Sequence, residues 1–543
     1  MNTRHLVILA FIVLISSIVR VWQLGSVPAG PNWDEAAIGY NGWSIWHTRR
    51  DEWLEKLPIS FKSFGDFKAP LAIYTNGLGT SIFGLNLWTI RLPFAVSGVL
   101  AVIGFAELMT AITQLVPKNT FFLQPNTLIL IGTGWLALSP WHILFSRVGF
   151  ESGLALTELI WATCLLLLST KKYNNHWYDF CLKSVSIALF ASTFYTYHSA
   201  KVMVPLFVVM LCIGLHSLKL LTLKQCLGGV FGLIVLIIPF LLDSLFGEGL
   251  ARASVTIFAQ SKSFFETISL LVSNSISHIS PSFLLFGKAD SVRHSVGNMG
   301  VLYPTTLLFV LFGLAHGLYK IFSKHLGSVS KTKLVIWFFA VGWIISGLAP
   351  AIIGMEVPHP NRALLALPGF ILLAILGVDC LAYNYRKLKI QKICNSPTTL
   401  IIIIILVELL QPIVFLSQYF GSYTQKVSSE FQDGYTEMFA EVWSYYDGKD
   451  NRPATNQFVI TSEYGQPYIY ALLTRKISPY QYHNGALINF LFPDVVQLSD
   501  LDRPNALVVA GEKSDLIDRS KAVKIIYSKD GRPRFWIFDT TVL

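Results

Sequence analysis

Residues 184–215 read SVSIALFASTFYTYHSAKVMVPLFVVMLCIGL, and the number of membrane crossings they make sets the topology of everything that follows. A crossing takes about 20 apolar residues, so this stretch is overlong for one helix and short for two. The polar run Tyr197-His198-Ser199-Ala200-Lys201 in its middle offers a break. A single helix would invert every later connection and carry Arg386, Lys387, Lys389 and Lys392 to the outside. That contradicts the excess of Lys and Arg expected in cytoplasmic loops. Two short helices satisfy it.

Working outward, apolar blocks recur near 6–24, 92–115, 126–143, 152–169, 181–198, 201–217, 227–245, 301–320, 334–353, 362–383 and 398–418. The reading is a polytopic α-helical membrane protein of about eleven spans. Only 14% of the 543 residues are charged, against about 25% in soluble domains, which excludes an ordinary soluble enzyme. High hydrophobicity excludes disorder. Arg4 precedes the first block and Arg20 follows it without a small-residue cleavage site, so that span is read as uncleaved with a cytoplasmic N-terminus. The inner loops then hold Lys118, Lys171, Lys172, Lys183, Lys219, Lys224, Lys320, Lys324, Lys331 and Lys333 besides the four late cations, with Asp179 as the clear acid. Segment 25–91, placed outside, balances six cations against six acids. The net charge of +10 is therefore an orientation signal, and nucleic acid is excluded as a partner. Cys164, Cys181, Cys212, Cys226, Cys380 and Cys394 all fall in spans or inside, so no disulfide framework supports the outer segments.

An odd number of spans puts the C-terminal tail outside. Its composition changes past Gln418. An amphipathic helical pattern at 425–447 is followed by β-prone runs at 457–461, 506–510, 523–527 and 534–538, with a helical pattern at 467–475. The chain is thus divided into a membrane domain, 1–420, whose first outer loop is 25–91, and a small extracytoplasmic α/β domain, 421–543.

Six polar clusters map to the outer side. They are Asn32-Trp33-Asp34-Glu35, 64–70, 146–151, 197–201, 290–295 and 358–362. Ionisable groups at membrane depth cost about 2.5–3.5 kcal/mol each, so their convergence on one face marks a functional cavity. Asp34, Glu35, Asp66 and Glu151 supply carboxylates; Lys68, Arg147, Lys201, Arg293 and Arg362 supply cations suited to phosphate oxygens. His198 and His294 add polar contacts to substrate. A carboxylate beside a phosphate clamp suits group transfer from a lipid-linked phosphate, the carboxylate taking a proton from an acceptor hydroxyl. Each cluster has a plainer use as well. Asn32 and Glu35 have capping-box spacing, and the cations are long enough to snorkel to headgroups. His198, His294 and His359 read as polar anchors before metal ligands, and no H-E-x-x-H or paired-Cys motif is present.

In this order the clusters resemble the GT-C superfamily of integral membrane glycosyltransferases, in the branch of protein O-mannosyltransferases and the lipid A aminoarabinose transferase. The likeness rests on Trp33-Asp34-Glu35, Gly65-Asp66-Phe67-Lys68-Ala69-Pro70-Leu71, Arg91-Leu92-Pro93, Ser146-Arg147 to Glu151, Lys201 to Pro205, Arg293-His294 and Asn361-Arg362. It spans residues 1–420. What it implies is a polyprenyl-phosphate-linked sugar donor, used on the outer face of the plasma membrane in an inverting transfer. Asp34 stands at the catalytic-base position, Glu35 assists, and Glu151 matches the second carboxylate. Lys68, Arg293 and Arg362 take the donor phosphate. The chain has Lys-Ala-Pro where relatives show Lys-Pro-Pro, and Lys201 where Arg is commoner, with no charge lost. The acceptor is a glycan, lipid or protein, and a divalent metal ion is used by some members and not by others. The competing class is a transporter or flippase of a phosphorylated lipid, which is expected to show inverted repeats and midplane sites. Neither is visible here.

Overall fold

The stretch 184–215 is two helices. One runs His176–Thr196 and the next Ala200–Ser217, separated at Tyr197-His198-Ser199. The His198 ring holds the break: its Nε2 donates to the Phe67 carbonyl at 2.9 Å, so its Nδ1 accepts from Lys201 Nζ at 3.1 Å.

The computed structural model describes residues 2–543 except 172–175, 248–253, 323–327, 385–396, 449–454 and 515–516. Each of the eleven apolar blocks coincides with helix. Among the described residues eight helices are long and apolar enough to cross a membrane. The bent pair Pro125–Leu138 and Pro140–Ser146, which turn by 52°, brings the number to nine when it is taken as one span. At that bend Pro140 lacks an N–H and the Ser139 hydroxyl caps His142 N at 3.3 Å. The helices His176–Thr196 and Pro397–Gln418 fill the other two blocks. The chain is a multi-pass membrane protein. Lys172, Lys324, Arg386, Lys387, Lys389, Lys392 and Cys394 lie outside the described residues; the other five cysteines are free thiols.

Packing divides the chain into two compact units, 1–22 with 67–71 and 94–417, and 23–66 with 72–93 and 418–543. In the helical unit, small residues let helices touch. A Cβ on Gly313 would meet the Leu373 carbonyl oxygen at 2.1 Å, and one on Gly377 the Phe309 carbonyl oxygen at 2.0 Å, so Pro304–Phe322 and Leu367–Asn384 pack backbone to backbone. Asp379, 1% exposed, pairs with Lys333 at 2.6 Å and accepts from the backbone N–H groups of Phe122 and Leu123.

The second unit centres on a five-stranded sheet in the order 490–491, 457–460, 506–510, 533–539, 524–527. The first three strands are parallel and the last two antiparallel to their neighbours. Its core takes in Ala36, Ala37, Tyr40 and Ile90 together with Tyr435, Tyr470, Leu507 and Phe535. The outer segment that composition counted with the spans therefore shares its core with the C-terminal domain. The amphipathic pattern at 425–447 becomes a short helix at Thr424–Lys426 and a longer one over Tyr435–Tyr446, with turns between them. Gly434, at φ +99°, sits in left-handed backbone that other residues resist, and it ends the preceding turns there.

Candidate functional site

Within the second unit, the acidic pair is built onto the start of helix Trp33–Thr48. Asn32 and Glu35 make the reciprocal capping box that their spacing foretells. The Glu35 carboxylate also takes a two-pronged ion pair from Arg91, at 2.7 Å to Nε and 2.9 Å to Nη2, with both side chains fully buried. The remaining Arg91 donors reach the carbonyls of Leu24, Pro28 and Gly30. Gly30 has φ +63°, and a Cβ there would lie 2.5 Å from the Phe431 carbonyl oxygen. Glu35 is thus committed to shaping the helix entry. Asp34, one residue earlier on the same first turn, is half-buried. The chain around it is pinned by Trp33 N to Gln432 Oε1 at 3.1 Å and by the Tyr470 hydroxyl to the Pro31 carbonyl at 2.9 Å. Burial pushes the Tyr470 phenol well up, and Tyr435, Glu35 and Asp34 add to this, so it donates as a neutral hydroxyl. Asp66 lies on the short strand Asp66–Lys68 and is partly exposed.

In the helical unit two groups form. The first is Phe67-Lys68 with His198 and Lys201: Lys68 is 4% exposed, and the Lys201 ammonium sits 4.2 Å over the Phe240 ring. The second joins three loops. Arg293 stands 5.9 Å over the ring of Phe150, the residue before Glu151, which opens helix Glu151–Leu168. The His294 ring lies 5.5 Å from Phe145 and 5.1 Å from His359. His294 Nδ1 donates to both oxygens of Asp290, at 2.9 and 3.0 Å, and Arg362 pairs with Glu356 at 2.8 Å.

The loops are held by backbone as well. Asp290 N donates to the Pro358 carbonyl, and His359 N donates to His278 Nε2 at 3.1 Å. Burial pushes the Asp290 carboxyl up, but the hydrogen bond and charge of His294, with His359, leave it below the ordinary carboxylate range. Burial holds the His359 imidazole well below its ordinary value; Asp290 opposes this, while His294, Arg362 and Arg293 reinforce it.

Arg147 is used differently from the other cations. It is fully buried, and its guanidinium donates to the carbonyls of Val19 and Trp22, at 2.5 and 2.8 Å, at the end of the first helix. Sequence reasoning gave no role to Arg91, Asp290 or Glu356. The Asp290/His294 spacing of four and the Glu356/His359/Arg362 spacing of three are the signals that would have found the last two.

No family model matches the chain, and no curated protein matches its sequence. Solved structures do. ArnT from Cupriavidus metallidurans bound to undecaprenyl phosphate aligns over 99% of this chain and 98% of its own, at 12% identity and a TM-score of 0.55. The Archaeoglobus fulgidus oligosaccharyltransferase in its apo form aligns over 98% of this chain and 74% of its own, at 12% identity and a TM-score of 0.54. The same archaeal enzyme, AglB, in complex with an inhibitory peptide and a dolichol-phosphate gives 11% identity and a TM-score of 0.52 over the same shares.

Proposed function

From the GT-C fold of this chain, we propose that it is a membrane glycosyltransferase that moves a sugar from a polyprenyl-phosphate donor to an acceptor hydroxyl. The reading places the reaction on the extracytoplasmic face of the plasma membrane, with the N-terminus cytoplasmic and the C-terminal domain outside. The observation that carries it is the likeness to ArnT over nearly the whole of both chains, in a structure bound to undecaprenyl phosphate.

In this reading the acceptor oxygen attacks the anomeric carbon from the face opposite the phosphate. The carbon–oxygen bond to phosphate breaks, the polyprenyl phosphate leaves with the electron pair, and configuration inverts. Asp34 takes the acceptor proton as general base. Glu35, locked to Arg91, is a positioning residue that fixes the backbone on which Asp34 stands. Lys68, Arg293 and Arg362 stabilise charge gathering on the departing phosphate, with Lys201 and His198 keeping the Lys68 loop in place. Glu151, Asp66 and His294 are assigned to substrate contacts. Arg147 serves the helix end.

The test is to incubate purified protein in lipid nanodiscs with a panel of radiolabelled polyprenyl-phosphate sugars and candidate acceptors, reading products by mass spectrometry. Consumption of one donor with release of polyprenyl phosphate is expected. Movement of intact donor across the bilayer without cleavage would mark a flippase instead.

A further inference from the structure

We propose that Asp290, His294 and His359, with Glu356 beside them, form a binding site for one divalent first-row transition-metal ion. The three side chains come from two loops far apart in sequence, yet one ligand atom from each lies within 4.8 Å of the others. His294 Nδ1 is 2.9 and 3.0 Å from the two Asp290 oxygens. His359 Nε2 is 3.8 Å from Asp290 Oδ2 and 3.6 Å from Glu356 Oε2. Donors bonded at about 2.0–2.2 Å in neighbouring positions on a metal stand about 3–3.5 Å apart. The observed spacings bracket that range, so little movement brings Asp290, His294 and His359 onto one ion, with Glu356 within reach beside His359.

Binding requires the ring protons of both histidines to move off the nitrogens that face the ion. His294 Nε2 is buried without a hydrogen-bond partner, so shifting the ring proton there from Nδ1 breaks no second bond. His359 Nδ1 accepts a long 3.4 Å bond from Arg362 N; placing the ring proton on it gives up that bond and frees Nε2 for the ion. The imidazoles are 3% and 7% exposed, and the loops carrying them are already tied by Asp290 N to Pro358 O and by His359 N to His278. Two imidazoles and two carboxylates suit zinc, cobalt or manganese better than magnesium or calcium, which favour all-oxygen sites. The two carboxylates also balance the charge of a divalent ion. Ligation by Glu356, which is 63% exposed, would release Arg362 from its present partner. The proposal does not depend on the glycosyl-transfer reading, since it predicts binding whatever the reaction.

The experiment uses the full chain in nanodiscs, stripped with a chelator and titrated separately with zinc and cobalt. Bound metal is counted by mass spectrometry, and cobalt coordination is read from its visible absorption. One ion per chain is expected, with cobalt bands of nitrogen and oxygen ligation. Asp290→Asn and His359→Gln should each weaken binding by at least about tenfold. Glu356→Gln, at an exposed position that leaves the buried loops intact, should weaken it as well and keep the metal-free melting temperature. A wild-type chain that holds no ion at saturating metal overturns the site. So does undiminished binding in both Glu356→Gln and His359→Gln.

Discussion

Two sets of cations near the span ends are handled in opposite ways. Lys118, Lys219, Lys224 and Lys331, on the side read as cytoplasmic, are exposed. On the side read as outer, Arg91 and Arg147 are fully buried and Lys68 is 4% exposed. Exposed charges cost nothing in desolvation and serve orientation by number alone. Buried ones must be compensated group by group, and here they are: Arg91 has a carboxylate and three carbonyls, and Arg147 has two carbonyls.

The comparison breaks hardest at Arg91. Arg91→Leu strands the buried Glu35 carboxylate and should destabilise the fold by about 3–5 kcal/mol, read as a lower melting temperature in detergent. If the variant melts as wild type does, the buried pair is not holding the helix entry. Lys68→Met should leave melting alone and lower kcat by about 10²–10³-fold, the cost of removing one donor to developing charge; unchanged turnover would return Lys68 to structure. Tyr470→Phe removes one neutral hydrogen bond and should cost about 1 kcal/mol. At the other end, Lys118→Gln, Lys219→Gln and Lys224→Gln should each stay within about 0.5 kcal/mol and keep activity. A large effect there would erase the contrast.

Much of this was readable beforehand because the signals are local. Span positions follow from apolar run length, and the helix break at 197–199 from one polar interruption and the placement of distant cations. The Asn32–Glu35 capping box follows from spacing. The strands at 457–460, 506–510 and 524–527 follow from short apolar β-prone runs. What stayed hidden depends on partners remote in sequence. Arg91 looked like the opening of a span until Glu35 was seen across it. Glu158 receives two hydrogen-bond contacts from Thr196 on the next helix, and no pattern within either helix announces that. The strand Phe490–Leu491 is two residues long and exists only because 457–460 lies beside it. Asp290 and His359 lie in separate polar clusters, and only the fold brings their ligand atoms together. The sharing of one core between 23–66, 72–93 and the C-terminal domain is likewise a packing fact, invisible to composition.

Asp34 and Glu35 are neighbours with separate duties in this account, and one measurement separates them from the rest of the molecule. Asp34→Asn in nanodiscs, given the donor that wild type consumes, should bind that lipid and melt as wild type does. Its kcat for release of polyprenyl phosphate should fall by about 10²–10⁴-fold, the usual worth of a general base. Release at the wild-type rate would contradict the assignment of Asp34 as the base.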